Sequence, residues 1–449
     1  MQQATAGETG IAQLQQVVRF VLEEAQQRGA TQAEADASVN QGLGVTVRLG
    51  EVETVEYQRD RGLGVTVYFG HRKGSASTAD LGMTAVRETV EKACTIARFT
   101  AEDTFAGLVD PEALARQIPE LDLDHPWALA PEAAIALAQR CEAAGLAVGS
   151  QISNSEGASV HTQRHLGVYG NSLGFLGGAV GTSHSMSCTL IAQQQETMER
   201  DYWYTTSRDP ADLEAPEHVG RKAGERAIAR LGASKLSTRK APVLFSPEMA
   251  RGLFRHFIGA IRGSSQYRKA SFLLNAAGER IFPAFLQMQE RPHIPKGLAS
   301  AAFDAEGAAT HDRDLVSDGV LQGYVLGSYS ARKLGLKTTG NAGGIHNLLV
   351  GSSAKASDLQ ALLRQMHTGL LVTEMMGQGV NGVTGDYSRG ASGFWVENGA
   401  IVHPVHEITI AGNLRDIYRN IVALGGDVDP RGSIRCGSVL IGEMTIAGE

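Results

Sequence analysis

The stretch Gly385 to Leu414, GDYSRGASGFWVENGAIVHPVHEITIAGNL, packs glycines, acids, hydroxyls and a tryptophan into 30 residues. Gly390, Gly393 and Gly399 permit positive φ or close backbone approach, and Glu397-Asn398-Gly399 reads as a tight turn between FWV and AIV. The local expectation is a β-hairpin with polar loops. A larger run around it, MGQGVNGVTGDYSRGASGFW, combines six glycines with many side chains able to donate or accept hydrogen bonds. It reads as a glycine-rich turn system with Trp395 in the core, as a subunit interface, or as a groove wall on which an extended peptide adds as a strand, with Tyr387 and Trp395 supplying pockets.

Working outward, GLGVTVRLG (42–50) and GLGVTVYFG (62–70) are near copies 20 residues apart, with VETVEYQ between them in alternation. Three antiparallel strands in a meander are expected. Helical periodicity marks 11–28, 80–98 and 131–146, and a long helix is expected over 213–231. The acidic stretch from Thr100 to Trp127 is irregular, and a loop of that length serves binding or is mobile. Between 147 and 208, β-formers alternate with Ser, Thr and Gly, giving about four further antiparallel strands. GASKLSTRKAP (232–242) divides an N-terminal domain, 1–235, from a β-rich C-terminal domain, 241–449, with helices near 247–261 and 357–368. The fold class expected is α+β, two domains, mostly antiparallel sheets with packed helices.

Bulk properties narrow the function. Formal charge is −7, from 41 basic and 48 acidic residues, without basic runs, so neither nucleic acid nor an acidic membrane is an expected partner. Cys94, Cys141, Cys188 and Cys436 form no C-x-x-C, which argues against a zinc ribbon or a disulfide framework. The start MQQATAGETG lacks the pattern of a signal peptide, and no apolar run approaches membrane-spanning length; a cytoplasmic protein is expected.

Single motifs give little. His161 and His165 form H-x-x-x-H in a strand or turn context, and His403 and His406 of HPVHEIT have opposite strand parity, with Pro404 between them and Glu407 after them. Gly170 to Gly174 matches G-x-S-x-G by letters, but FLGGAVG follows where a nucleophile elbow needs a helix.

Taken with GSYSARKLGLKTTGNAGGIHN (327–347), RKAGERA and IRCGSVLIGEMTIAG, the glycine-rich segment resembles the TldE/PmbA branch of the TldD/PmbA metallopeptidase family. The catalytic branch of that family carries H-E-x-x-x-H on a helix and a cysteine thiolate near the C-terminus, a ligand set suited to zinc. Residues five apart on a regular helix diverge by about 140°, so such a chelate needs a widened turn. This chain has no H-E-x-x-x-H. The register set by SQYRKASF (265–272) places Arg255, His256 and Ala260 at the motif positions and Cys436 at the thiolate position. Arginine repels zinc, alanine offers no ligand, and histidine cannot act as the carboxylate base.

The resemblance therefore implies a non-catalytic subunit of a two-component zinc metallopeptidase acting on unfolded or leader-like peptides. No metal is expected in this chain and zinc is expected in a TldD-like paralogue that forms a heteromer with it, while the chain alone is expected to be inactive and able to form a homodimer. Candidate substrate-binding residues are Tyr387, Ser388, Trp395 and His256. Two alternatives stand beside this reading: an autonomous metallopeptidase with a site rearranged around His256, His346, His403 or Cys436, and a non-proteolytic modulator binding gyrase-related proteins, in line with the family's naming.

Overall fold

The computed structural model describes residues 6–354 and 357–448, with side chains from residue 10 onward. In the N-terminal half, α1 (Ala6–Gln27) leads into β1 (Gln32–Arg48), β2 (Glu51–Phe69) and β3 (Arg72–Thr78). Then come α2 (Met83–Phe99), α3 (Pro131–Leu146), β4 (Ile152–Asn171), β5 (Leu176–Gln194), β6 (Thr197–Ser207) and α4 (Pro216–Ala229). The strands form one antiparallel sheet in the order β3-β2-β1-β4-β5-β6.

All four helices cover one face of this sheet, in two clusters. Leu63, Val65 and Val67 pack with α1 and α2, whereas Leu43, Val45 and Val47 pack with α3 and α4. The near copies thus do the same duty at opposite ends of a long hairpin. VETVEYQ is not a strand of its own: it is the first half of β2 and runs directly into the second copy, and β3 is the third member of the meander. The expected break fails because residues 58–61 are exposed and need no apolar alternation to stay extended. The four strands expected over 147–208 are three, of 20, 19 and 11 residues. Ser159, Ser183, Ser185, Ser187 and Thr189 occupy the helix-free face, where polarity does not end a strand.

The helices α3 and α4 meet at Gly145 and Gly220. A Cβ on Gly220 would lie 1.7 Å from the carbonyl oxygen of Cys141, so only glycine permits this approach.

The C-terminal half contains β7 (Arg239–Phe245), α5 (Pro247–Ile261), α6 (Gly263–Tyr267), β8 (Leu286–Glu290), β9 (Arg313–Ser317), β10 (Val320–Leu321) and α7 (Ser328–Leu334). It continues with β11 (Leu348–Ser352), α8 (Leu359–Met366), β12 (Gly369–Met376), β13 (Asp386–Glu397), β14 (Ala400–Asn413) and α9 (Leu414–Arg419), and ends with β15 (Ile421–Leu424), β16 (Ile434–Arg435) and β17 (Val439–Ala447). One sheet runs β14-β13-β12-β7-β17-β15 and curls so that β14 also pairs with β17; a second runs β10-β9-β8-β11-β16. The two parallel contacts, β7 with β12 and β11 with β16, sit among otherwise antiparallel pairs. The expected hairpin is present: Asn398 and Gly399, at φ 50° and 75°, turn β13 into β14.

The irregular stretch 100–130 joins the halves. The Arg332 guanidinium donates to the carbonyl oxygens of Phe105, Gly107 and Leu108 at 2.8–2.9 Å, and the Tyr329 hydroxyl donates to Asp103 at 2.7 Å. Phe175 meets Phe303 edge-on across the same seam at 5.1 Å.

Candidate functional site

The site is built on α5. Pro247 sits in its first turn with Glu248, where a missing N–H costs nothing and an acid complements the helix dipole. Leu253, Phe254, Phe257, Ile258 and Ile261 form its buried stripe, each contributing about 1.5–3 kcal/mol on burial. Phe257 packs edge-on against Phe282 at 5.0 Å. After Ile261 the backbone turns extended at Arg262, and Gly263 passes so close to Ser330 that a Cβ would lie 2.3 Å from its hydroxyl.

The four motif positions do not converge. The helix is α-helical throughout, without a widened turn, so Arg255 is exposed while Ala260, five residues on, is buried at 4% exposure. The Ala260 carbonyl accepts from Gln266 Nε2 and Ser271 Oγ, both at 2.7 Å, which fixes this turn against the SQYRKASF segment. Cys436 lies beside the Pro247 carbonyl, 3.8 Å away, in the first turn of the helix and two turns before Arg255. Burial pushes its thiol up to about 12, which keeps it protonated. A zinc ion needs several deprotonated donors around one point, and these residues do not fit it. Among the described residues there is no group of three or more His, Cys, Asp or Glu able to hold a metal.

His256 is half-buried, and its ring meets Tyr387 edge-on at 6.1 Å. Nε2 is buried with no hydrogen-bond partner. Burial, then the charges of Arg389 and Arg255, hold its pKa below the ordinary histidine value. It is thus a neutral imidazole, and no carboxylate among the described residues orients it. Tyr387 is buried at 2% exposure with its hydroxyl on the Met375 sulfur at 3.5 Å, and burial raises its pKa. Trp395 is buried at 5%, donates from Nε1 to Glu397 at 3.0 Å and carries the Arg239 guanidinium over its ring. Ser388 is exposed, and its amide donates to the Gly379 carbonyl at 2.7 Å. The backbone of β13 is paired on both sides, with β12 and β14, so it offers no free edge for the added strand its composition suggests.

The free side of α5 turns toward the helix-free face of the N-terminal sheet. Arg251, one turn before Arg255 on the same side, donates to the Tyr204 hydroxyl at 3.0 Å and pairs with Asp429 at 3.2 Å. Arg431 lies over the rings of Trp203 and Tyr204, donates to the Tyr204 carbonyl at 2.6 Å and pairs with Asp429 and Glu248. Beyond Tyr204 the sheet face is polar: Ser185 and Ser187 of β5, then Ser159, His161, Gln163 and His165 of β4. Such a surface offers donors and acceptors without apolar selectivity, next to the exposed cation Arg255, which has no ion pair among the described residues. Among the described residues there is no charge relay or carboxylate dyad at this place; the surface can bind and orient.

The other histidines disperse. His161 and His165 share one face of β4, with His165 Nδ1 2.7 Å from Asn40. His403 approaches the Pro404 carbonyl at 3.0 Å, His406 meets Glu199 at 3.0 Å, and Glu407 pairs with Lys235. His346 sits against Glu290 at 3.2 Å, in a network with Arg313 and Asn341; burial opposes but His346 and Arg313 hold that carboxyl low. Among the described residues, no two of His256, His346, His403 and Cys436 share a partner. Residues 170–174 lie at the turn from β4 to β5, with no helix after them.

Sequence reading missed Tyr204, Arg251 and Arg431. Their signal was weak: an aromatic pair in one half and isolated arginines in the other, 47 and 227 residues away.

Comparison with known proteins matches residues 33–97, 124–231 and 238–448 to domain 1, the central domain and the C-terminal domain of the PmbA/TldA metallopeptidases. The chain is 52% identical to the metalloprotease PmbA of Escherichia coli O157:H7 over 417 residues, 93% of this chain and 92% of that one. Buchnera aphidicola subsp. Acyrthosiphon pisum has both a PmbA homologue, 43% identical over 91% of each chain, and a TldD homologue, 21% identical over 51% of this chain and 50% of that one. A crystal structure from Bacteroides thetaiotaomicron, described as a candidate modulator of DNA gyrase, superposes with a TM-score of 0.91 at 28% identity, covering 97% of this chain and 98% of that one.

Proposed function

The chain belongs to the PmbA/TldD metallopeptidase family, on its PmbA branch, and from that premise we propose that it is the non-catalytic subunit of a two-component zinc metallopeptidase. The observation that carries this reading is α5: a regular helix with an exposed arginine and a core alanine where the catalytic branch places its two histidines. The neutral thiol of Cys436, two turns away, supports it. Zinc then resides in a TldD-like paralogue, and the occurrence of both kinds of chain in one Buchnera strain agrees with such a pair.

In this role the chain holds unfolded or leader-like peptides and walls the chamber in which the paralogue cuts them. Arg255, His256 and Ser388 meet the peptide, with Tyr387 and Trp395 supporting them from the core. A cation and neutral donors suit peptide carbonyls and acidic side chains, and the polar sheet face tolerates varied sequence. The location proposed is the cytoplasm.

The test is cleavage of an unfolded model peptide by the purified chain, by the metal-bearing paralogue, and by the two together. Cleavage only in the mixture is expected. Full activity of the paralogue without this chain would overturn the reading.

A further inference from the structure

A cavity of about 540 Å³ lies at the seam of the two halves, toward the β3 edge of the N-terminal sheet, whereas β6 at the other edge meets α5. Its walls include Glu34 of β1, Tyr68 of β2 and Lys73 of β3, Asp103 and Leu108 of the joining stretch, and Glu306 and Tyr329 of the C-terminal half. This is the volume of a small-molecule site, and the boundary between two packed units is a common place for one.

The charges in this cavity are not used up within the chain. Glu34 accepts from the Tyr68 and Tyr169 hydroxyls at 3.0 and 2.8 Å, and Glu306 accepts from the Ser328 amide at 2.8 Å, yet neither carboxylate has an ion pair among the described residues. Lys73 has none either, and its ammonium stands 5.9 Å from the centre of the Tyr68 ring. Asp103, by contrast, is engaged by the Tyr329 hydroxyl at 2.7 Å and by Lys333 at 3.7 Å. Burial raises the Glu34 carboxyl above its ordinary value, against the lowering by Tyr169, Tyr68 and Lys73, and Glu306 adds to the rise. Two half-buried carboxylates that repel each other are costly to keep without a cation on either.

Opposite Glu34 in the β1–β4 ladder, Asn171 is 1% exposed, and its Nδ2 has no hydrogen-bond partner among the described residues. Directly opposed residues share a face, so an unused donor stands on the same side of the sheet as the unused acceptor. Two acids set against an ammonium and an amide are the complement of a molecule with two cationic groups and one anionic group. A metal ion is poorly served, because no three metal-ligating side chains gather among the described residues.

We propose that this cavity binds a free basic amino acid, with its cationic groups on Glu34 and Glu306, its carboxylate on Lys73, and its aliphatic stem against Tyr68 and Leu108. This goes beyond the peptide-holding role and does not depend on it. Because the walls come from both halves, the bound molecule also stabilises them against separation.

The test is titration calorimetry of the full chain with lysine and with two analogues, norleucine, which lacks the side-chain ammonium, and cadaverine, which lacks the carboxylate. Lysine is expected to bind saturably, and each analogue to bind about tenfold more weakly. Glu306→Gln keeps an acceptor for the Ser328 amide and is expected to weaken lysine by about tenfold, whereas Glu88→Gln, on the exposed side of α2, leaves it unchanged. Lys73→Gln distinguishes a lost contact from a misfolded chain: Lys73 is exposed, and its replacement is expected to weaken lysine by about tenfold without weakening cadaverine. Lysine is also expected to raise the melting temperature of wild type more than that of Glu306→Gln. No saturable binding of lysine, calcium or magnesium binding in its place, equal binding of lysine capped at both its amino and carboxyl ends, or indifference to Glu306→Gln and Lys73→Gln would overturn the proposal.

Discussion

Rebuilding the catalytic motif on α5 should fail, and the reason is measurable. In Ala260→His an imidazole replaces a methyl group in a turn whose carbonyl is held by Gln266 and Ser271 and whose side is 4% exposed. Overpacking costs about 1–3 kcal/mol, and a buried ring nitrogen without a partner costs about 1–3 kcal/mol more. The sum, about 2–6 kcal/mol, lowers the protection of α5 amides against hydrogen exchange by a factor of about 30 at least. The triple replacement of Arg255→His, His256→Glu and Ala260→His should carry the same loss and bind no stoichiometric zinc, because the first and last positions still diverge by about 140°. Exchange by mass spectrometry resolves the helix, and elemental analysis reads the metal. Unchanged protection in Ala260→His, or one zinc bound tightly by the triple variant, would refute the geometric reasoning.

Three further outcomes follow from the same contacts. Arg431→Ala removes a guanidinium that is 9% exposed between the halves and strips Asp429 and Glu248 of a partner; a loss of about 3–5 kcal/mol is expected in denaturant unfolding, with faster proteolysis between the halves. Gly220→Ala forces α3 from α4 and should cost about 3 kcal/mol, read as a lowered melting temperature. His256 has a depressed folded pKa, so the stability it permits is complete above the ordinary histidine value and is lost as pH falls below it; His256→Gln should therefore flatten the fall in melting temperature between about pH 7 and 5, and an unaltered fall would contradict this.

Fold class was legible because periodicity was clean where one face is buried, as in α1 and α2, and because Asn398-Gly399 marked the turn of the β13–β14 hairpin. It failed where burial does not dictate alternation. The exposed run 58–61 hid the length of β2, and the polar face of β4 and β5 made two long strands look like more. The motif positions Arg255, His256, Ala260 and Cys436 were locatable from the SQYRKASF register. Their surroundings were not, since the partners of Arg251 and Arg431 come from β6 of the other half. Composition left Trp395 open between the core and a groove pocket shared with Tyr387; both rings are in the core, because β13 is an interior strand. Long-range pairing of this kind leaves no trace in local pattern.

The measurement that bears most directly on the account is the zinc content of the chain purified without its paralogue, at neutral pH and without chelator. A content near zero is expected, with zinc appearing only when the paralogue is present. A content near one per chain would contradict it and would mean that a ligand set exists outside the helix on which the account rests.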